Sequence, residues 1–414
     1  MQVRCAKGDL GRVLQVATAV VPAHTMSHSL KHARLQADPA QGLTLYAANL
    51  EAYVTARLEA EVDEPGVAFV EVHPLAKVVR QLSGASLVLS GQSGGVTVAD
   101  SLGKTHVEGT LEANEELPEV PRIDAKATFG VPAAGLWEAF GRVRHAAEKH
   151  PRSYRFHLSG VRVGNHSGPA DLEAWYLEPQ GERLLDVVAT DGRRLAWQRV
   201  PVDTDGPEDQ LQEGIVPLGT VRVLERILVP RKGSPGGLAE LAFGTEAGPS
   251  DAASPRRLLR LRYGAVTLVA QLAEGRFPDW KCVLPKRAET RAVFRAGELR
   301  EALKRIPQDE ARPQVKLIFG ADGLLRLENP WAESALRAME LTGTRQSIYL
   351  NASFLRDALA PLPSSTAVEL CPFFGTLLCV RAKGGYLAAI AACATPEDEG
   401  EQATCEETSA KAQG

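Results

Sequence analysis

The stretch VVATDGRRLAWQRV, Val187–Val200, holds two strand-like runs around a Thr-Asp-Gly. β-Branched and aromatic residues suit a pleated, half-buried strand. Asp-Gly marks a tight turn, because glycine accepts the positive φ such turns need. The stretch therefore reads as a hairpin with Asp191 and Gly192 at its tip. That reading leaves Arg193 and Arg194 unexplained, two cations at the head of an otherwise apolar strand.

Outward from the hairpin, one series of elements repeats. ATFGV leads into a helix over Ala133–Lys149, and FHLSGVRVG precedes the hairpin strands; then GIVP leads into a helix over Leu218–Leu228, followed by LAELAFG, RRLLRLRYG and AVTLVAQL. Upstream, MQVRCA and a helix over Lys7–Val21 precede LKHARLQAD, GLTLYAAN and AYVTARLEAEV; GVAFVEV and a helix over His73–Ser83 precede SLVLSGQ, GGVTVAD and THVEGTL. Downstream, RAVFRA, the helix GELREALKRI and three strands are followed by SIYLN, the helix ASFLRDALAPL and three more. Apolar spacing separates helix from strand throughout. One strand, one helix and three strands thus recur six times, two units per domain, which implies repeated domains. The expected fold is α+β, with domains at 1–124, 125–284 and 285–395. Gly/Pro-rich insertions near 165–181 and 244–257 read as surface loops. An acidic tail, 396–414, is expected to be disordered.

Composition is that of a globular protein, with 44% hydrophobic and 24% charged residues among 414. MQVRCAKGDL has no apolar leader and no run is long enough to span a membrane, so a cytoplasmic location and no membrane partner are expected. Cysteines 5, 282, 371, 379, 393 and 405 form no CxxC pair, which argues against disulfides or a zinc knuckle. The net charge of −4 conceals an uneven distribution. The six helical segments carry 13 basic against 7 acidic residues. Solvated outer faces would account for any one such helix, whereas recurrence of the bias favours a shared surface facing a polyanion.

The motifs resemble one family. VATDGRRLA is similar to the Ala-Thr-Asp-Gly-(His/Tyr)-Arg-Leu-Ala signature of the bacterial sliding clamp, the β subunit of DNA polymerase III. EGRFPDWKCVLPK resembles its Gly-Arg-Phe-Pro-Asp-Tyr segment, LNASFLRDAL the start of its last helix, and ANLE its Thr-Asp-Leu-Glu. The likeness covers about residues 1–394. It implies a ring-shaped homodimer of three-domain subunits joined head to tail, helices inside. The ring would hold double-stranded DNA without reading its sequence, and would tether DNA polymerase, the clamp loader and other proteins by short peptides. It implies a processivity factor, not an enzyme, with no cofactor.

The resemblance also assigns residues. A partner-peptide groove falls on His157, Leu158, Thr190, Gly192, Arg193, Arg194, Leu195, Pro278, Cys282, Val283, Asn351, Phe354, Leu387 and Ala389. Leu158, Leu195, Val283 and Leu387 would form its floor, Thr190 and Gly192 its wall, Arg193 and Arg194 its rim. DNA contacts fall on Arg12, His24, Lys77, Arg80, Arg144, Lys149, Arg222 and Lys304. The subunit contact falls on His106 and Glu108, opposite a region near Ile306. The chain also departs from the family. Where Met-Pro-Met-Arg-Leu usually ends the chain, YLAAIAACA places Ala389 and Ala391, and the usual Arg beside Phe-Pro-Asp is Cys282. Family-apolar positions at the subunit contact are His106 and Glu108. A divergent or accessory clamp fits these changes.

Other motifs carry less. His24, His28 and His32 stand four apart, a metal spacing on a helix, but the segment reads as loop into strand, so no metal is expected. SLGKTHV lacks the first P-loop glycine. Two rival readings stay open: a β-rich enzyme using Asp191 or a histidine, and a clamp-fold scaffold that does not encircle DNA.

Overall fold

A computed structural model describes residues 1–92, 94–109, 116–149, 156–165, 183–203, 213–230, 236–247, 255–285, 288–308, 313–373 and 375–393. The tail 396–414 and most of the insertion near 165–181 lie outside them. The second insertion is shorter than expected: strands run to Glu246 and resume at Arg257, and an Arg256–Glu246 ion pair (Nε–Oε2 2.7 Å) closes the loop's base.

Among the described residues, six strand–helix–three-strand units follow one another. The first is β1 (Gln2–Ala6), α1 (Lys7–Val20), β2 (His32–Asp38), β3 (Gly42–Ala48) and β4 (Ala52–Leu58), with β5 (Ala60–Glu64) after it. The second is β6 (Gly66–Glu71), α2 (Val72–Gln81), β7 (Ser86–Gln92), β8 (Gly95–Ala99) and β9 (Lys104–Glu108). After β10 (Ile123–Asp124), the third is β11 (Phe129–Pro132), α3 (Ala133–Val143), β12 (Gly160–Asn165), β13 (Leu184–Thr190) and β14 (Arg194–Pro201). The fourth is β15 (Gly214–Pro217), α4 (Leu218–Leu228), β16 (Leu238–Glu246), β17 (Arg257–Tyr263) and β18 (Val266–Gln271). The fifth is β19 (Arg291–Arg295), α5 (Ala296–Lys304), β20 (Gln314–Phe319), β21 (Leu324–Asn329) and β22 (Ala332–Arg337), followed by β23 (Glu340–Thr342). The sixth is β24 (Gln346–Asn351), α6 (Ala352–Leu359), β25 (Ala367–Phe373), β26 (Leu377–Ala382) and β27 (Tyr386–Ala391).

Units pair by exchanging first strands. β1 joins β7 while β6 joins β2; β11 joins β16 while β15 joins β12; β19 joins β25 while β24 joins β20. Each pair of units therefore makes one set of four strands and one of five. These sets fuse along the chain. β4 pairs antiparallel with β18, and β14 with β27, giving two nine-stranded sheets. A five-stranded sheet ending in β9 and a four-stranded sheet ending in β22 keep open edges.

Each helix buries one stripe: α1 packs Leu10, Val13, Leu14 and Ala17 against its sheet, as their spacing requires. α3 ends at Val143, six residues before the expected Lys149, because the chain tightens into a 3-10 turn, Arg144–Ala146, that carries His145 toward β27. α6 stops at Leu359: Ala360 keeps helical dihedrals and still donates to the Arg356 carbonyl, but Pro361 has no N–H with which to continue the ladder. AYVTARLEAEV is split at Glu59 into β4 and β5, which belong to different sheets. The main core lies between helices and sheets, with smaller apolar clusters on the outer faces of both fused sheets.

Candidate functional site

The hairpin turn is organised by side chains of its own. The Asp191 carboxylate accepts from the Arg193 and Arg194 backbone N–H groups at 2.9 and 3.0 Å. Thr190 Oγ1 accepts from Gly192 N at 3.1 Å and donates to the Arg194 carbonyl at 2.7 Å. Gly192 has φ +87°, the left-handed conformation the tip requires.

The two arginines do different things. Arg193 is exposed, as expected of a rim residue. Arg194 is not at the rim. Its side chain is 7% exposed, its Nε donates to Asp191 Oδ2 at 2.9 Å, its Nη1 donates to Asp357 Oδ2 at 2.7 Å, and its guanidinium stacks 4.3 Å from the Phe354 ring. Strand alternation explains this. Arg194, Ala196 and Gln198 point toward the helices, while Leu195 and Trp197 point outward. Arg194 thus bolts the hairpin to α6.

On the outer face, Leu195 sits opposite Ala389 and Trp197 opposite Leu387 across the β14–β27 pair. The segment Phe277–Leu284 packs over them, burying Phe277, Trp280 and Leu284, with the Trp280 ring 4.8 Å from that of Trp197. Leu387 and Ala389 are therefore 1% and 2% exposed, and Leu158 and Leu195 each 4%. This corrects the expected floor: of its four residues, Leu158, Leu195 and Leu387 lie buried beneath the surface and Val283 reaches it. What faces outward is Val283, 55% exposed, with Pro278, Cys282, Gly192 and Arg193; His157, Asn351 and Phe354 are half-buried. Asn351 Oδ1 accepts from Ser353 N and caps α6. Cys282 Sγ donates to the Asp279 carbonyl at 2.8 Å.

A polar seam holds β14 to β27. Arg142 donates to Gln198 at 2.9 Å, and Gln198 Nε2 donates to the Gly384 carbonyl. Tyr386 donates to the Ala358 carbonyl at 2.7 Å, and His145 Nε2 lies 3.3 Å from the Tyr386 hydroxyl. Burial first, then the nearby Arg194 cation, push the His145 imidazole down to about 4. The unfolded imidazole takes its proton near 6.5. Stability that is full above pH 6.5 is thus lost as pH falls toward 4, by on the order of 3 kcal/mol in all. Urea unfolding at several pH values should show that slope flattened in His145→Gln; an unchanged slope would assign it to other groups.

All eight residues expected at DNA are exposed. Four of them are ion-paired: Arg12 with Asp9, Arg144 with Glu225 at 2.9 Å, Lys149 with Asp357 at 3.9 Å and Lys304 with Glu301 at 2.7 Å. Between α1, α3 and α4 lies a cavity of about 750 Å³ lined by Trp137, Arg144, Arg222, Glu225 and Arg226 among others. Burial raises the Glu225 carboxyl against the pull of those arginines. His106 and Glu108 are exposed on the open edge β9. Ile306 departs from expectation: at 1% exposure it belongs to its own chain's core and offers no side chain to a second subunit. Trp331, beside the open edge β22, is 53% exposed and was not singled out in the sequence. Trp280 and Asp357 were also missed, although both lie inside the quoted motifs.

No protein-family model matches the chain. Among curated proteins, it is 26% identical to the β sliding clamp of Pseudomonas aeruginosa over 77% of this chain and 79% of that one. It is 24% identical to the β sliding clamp of Escherichia coli, again over 77% and 79%. Solved structures with the same fold include the DNA polymerase III β subunit of Thermotoga maritima, with TM-score 0.78 and 20% identity over 95% of this chain and 99% of that one. The P. aeruginosa clamp bound to griselimycin also gives TM-score 0.78, with 22% identity over 95% and 100%. The chain is thus similar in sequence to curated bacterial β sliding clamps and has the fold of the solved ones.

Proposed function

We propose that the chain is a sliding clamp: two copies close head to tail around duplex DNA and tether a DNA polymerase and other replication proteins at the Val283–Arg193 surface. The observation that carries this is the rule of sheet fusion. At both internal junctions a four-stranded set meets a five-stranded set, edge to edge and antiparallel. At β4 and β14 the joining strand ends an odd-numbered unit; at β18 and β27 it ends an even-numbered one. Of the six unit-ending strands among the described residues, β22 of the fifth unit and β9 of the second are the two left at a sheet edge. Applying the rule once more pairs β22 of one copy with β9 of the next, in a sheet of nine like the others. Two copies applying it reciprocally leave neither edge free, which closes a ring. Units one and two, three and four, five and six then form three domains, at 1–124, 125–284 and 285–395.

Enclosure needs only weak phosphate contacts, which the exposed cations on the helices supply without reading bases. The experiment combines mass and topology. Native mass should show a species twice 44.5 kDa, and after loading with a clamp loader it should stay on closed circular DNA and leave after linearisation. Equal retention on both DNAs would remove enclosure from the proposal. Because His106 and Glu108 make the β9 edge polar, and polar interface cores hold less well than apolar ones, the dimer should dissociate on dilution in sedimentation.

A further inference from the structure

The histidines of HTMSHSLKH were expected not to converge. Two of them do, with a third partner from elsewhere. β2 and β6 pair antiparallel with His32 directly opposite Glu71. A single 3-10 turn, Ser29–Lys31, folds His28 back so that its ring lies 4.7 Å from that of His32. One ligand atom each from His28, His32 and Glu71 falls within 4.8 Å of the other two. His24 is not part of the group.

The protonation pattern suits a cation. His32 Nδ1 lies 3.0 Å from the His28 carbonyl oxygen. A carbonyl only accepts, so Nδ1 carries the proton and Nε2 keeps its lone pair. Fixing one imidazole nitrogen by a backbone carbonyl is how metal-ligating histidines are commonly oriented. His32 is 1% exposed and therefore rigidly placed, Glu71 is half-buried, and His28 is exposed and able to adjust. Tetrahedral ligands at metal bonds of about 2.0–2.1 Å stand about 3.3 Å apart. The three groups therefore need to close by roughly an ångström and a half at most, which rotation of the His28 and Glu71 side chains about the fixed His32 can supply.

We propose that His28, His32 and Glu71 bind one divalent transition-metal ion, with zinc the best chemical match. Two imidazoles and a carboxylate suit zinc and its neighbours, whereas magnesium and calcium take oxygen ligands. Water completes the coordination on the exposed side. The ion would pin the loop that follows α1 to the β2–β6 pair, at the start of α2.

The test uses the full chain, stripped with EDTA and titrated with zinc against a chromophoric chelator, with cobalt as a visible reporter of coordination. The wild type should take up one equivalent per chain and melt at a higher temperature with zinc than without. His28→Ala and Glu71→Gln, each at a residue outside the core and each checked for native circular dichroism, should bind at least about tenfold more weakly. Absence of stoichiometric uptake by the wild type would overturn the site. So would uptake undiminished in both variants, since the ion would then be held elsewhere.

Discussion

Arg194→Ala should destabilise the protein by about 3–5 kcal/mol, the usual consequence of removing one partner from a buried charge group. The variant leaves Asp191, only 14% exposed in its side chain, without the cation it faces, takes the nearer of two cations from Asp357 and removes the one stacked on the Phe354 ring. Arg193→Ala, one residue earlier, should change stability by no more than about 0.5 kcal/mol, because its side chain is exposed. Urea unfolding of both variants measures the contrast. Equal effects would mean that the bolt between the hairpin and α6 carries no load. Arg194→Lys should recover only part of the loss, since an ammonium cannot reproduce the planar fork that reaches two carboxylates and stacks on a ring.

Trp280→Ala should cost about 3–5 kcal/mol, the range for truncating a buried large aromatic. The indole is 5% exposed, packs on Trp197 and roofs Leu387 and Ala389. The same change should abolish binding of a clamp-binding peptide, because Val283 is held in place by the turn Trp280 anchors. Val283→Ala separates the two effects: exposed, it should leave unfolding nearly unchanged and weaken a peptide that uses it by about 2 kcal/mol, the cost typical of an interface anchor. Fluorescence titration of labelled peptides ending in Leu, Phe or Trp reads this directly. If Val283→Ala and the wild type bind all three equally, partners dock elsewhere.

Much of the architecture was legible because apolar periodicity is local. The span Leu218–Leu228 matches α4 residue for residue, and the strands around Thr190–Arg194 stand where the two β-branched and aromatic runs put them. What the sequence could not supply was the side each residue faces. Arg194 and Leu195 are adjacent in a strand buried on both faces, so neither face announces itself as outside. The family resemblance placed both in one groove, and the structure divides them between the helix side and the outer side. Ile306 fails for a related reason: an isoleucine just beyond a helix fits a core and a subunit contact equally well. The His28–His32–Glu71 group was illegible because Glu71 arrives by strand pairing, 39 positions along the chain from His32.

The β14–β27 pairing has a consequence for how partners would be distinguished. Arg194–Gln198 and Tyr386–Ile390 form one antiparallel ladder, Thr190 pairs with Leu195 beside it, and Ala391 N donates to the Arg193 carbonyl at 2.9 Å. The two walls beneath Val283 are thus a single preorganised frame, and a docking peptide would bear the ordering entropy almost alone. Competing peptides should then arrive at similar rates and differ mainly in how long they stay. On such a frame, exchange between partners is governed by residence time.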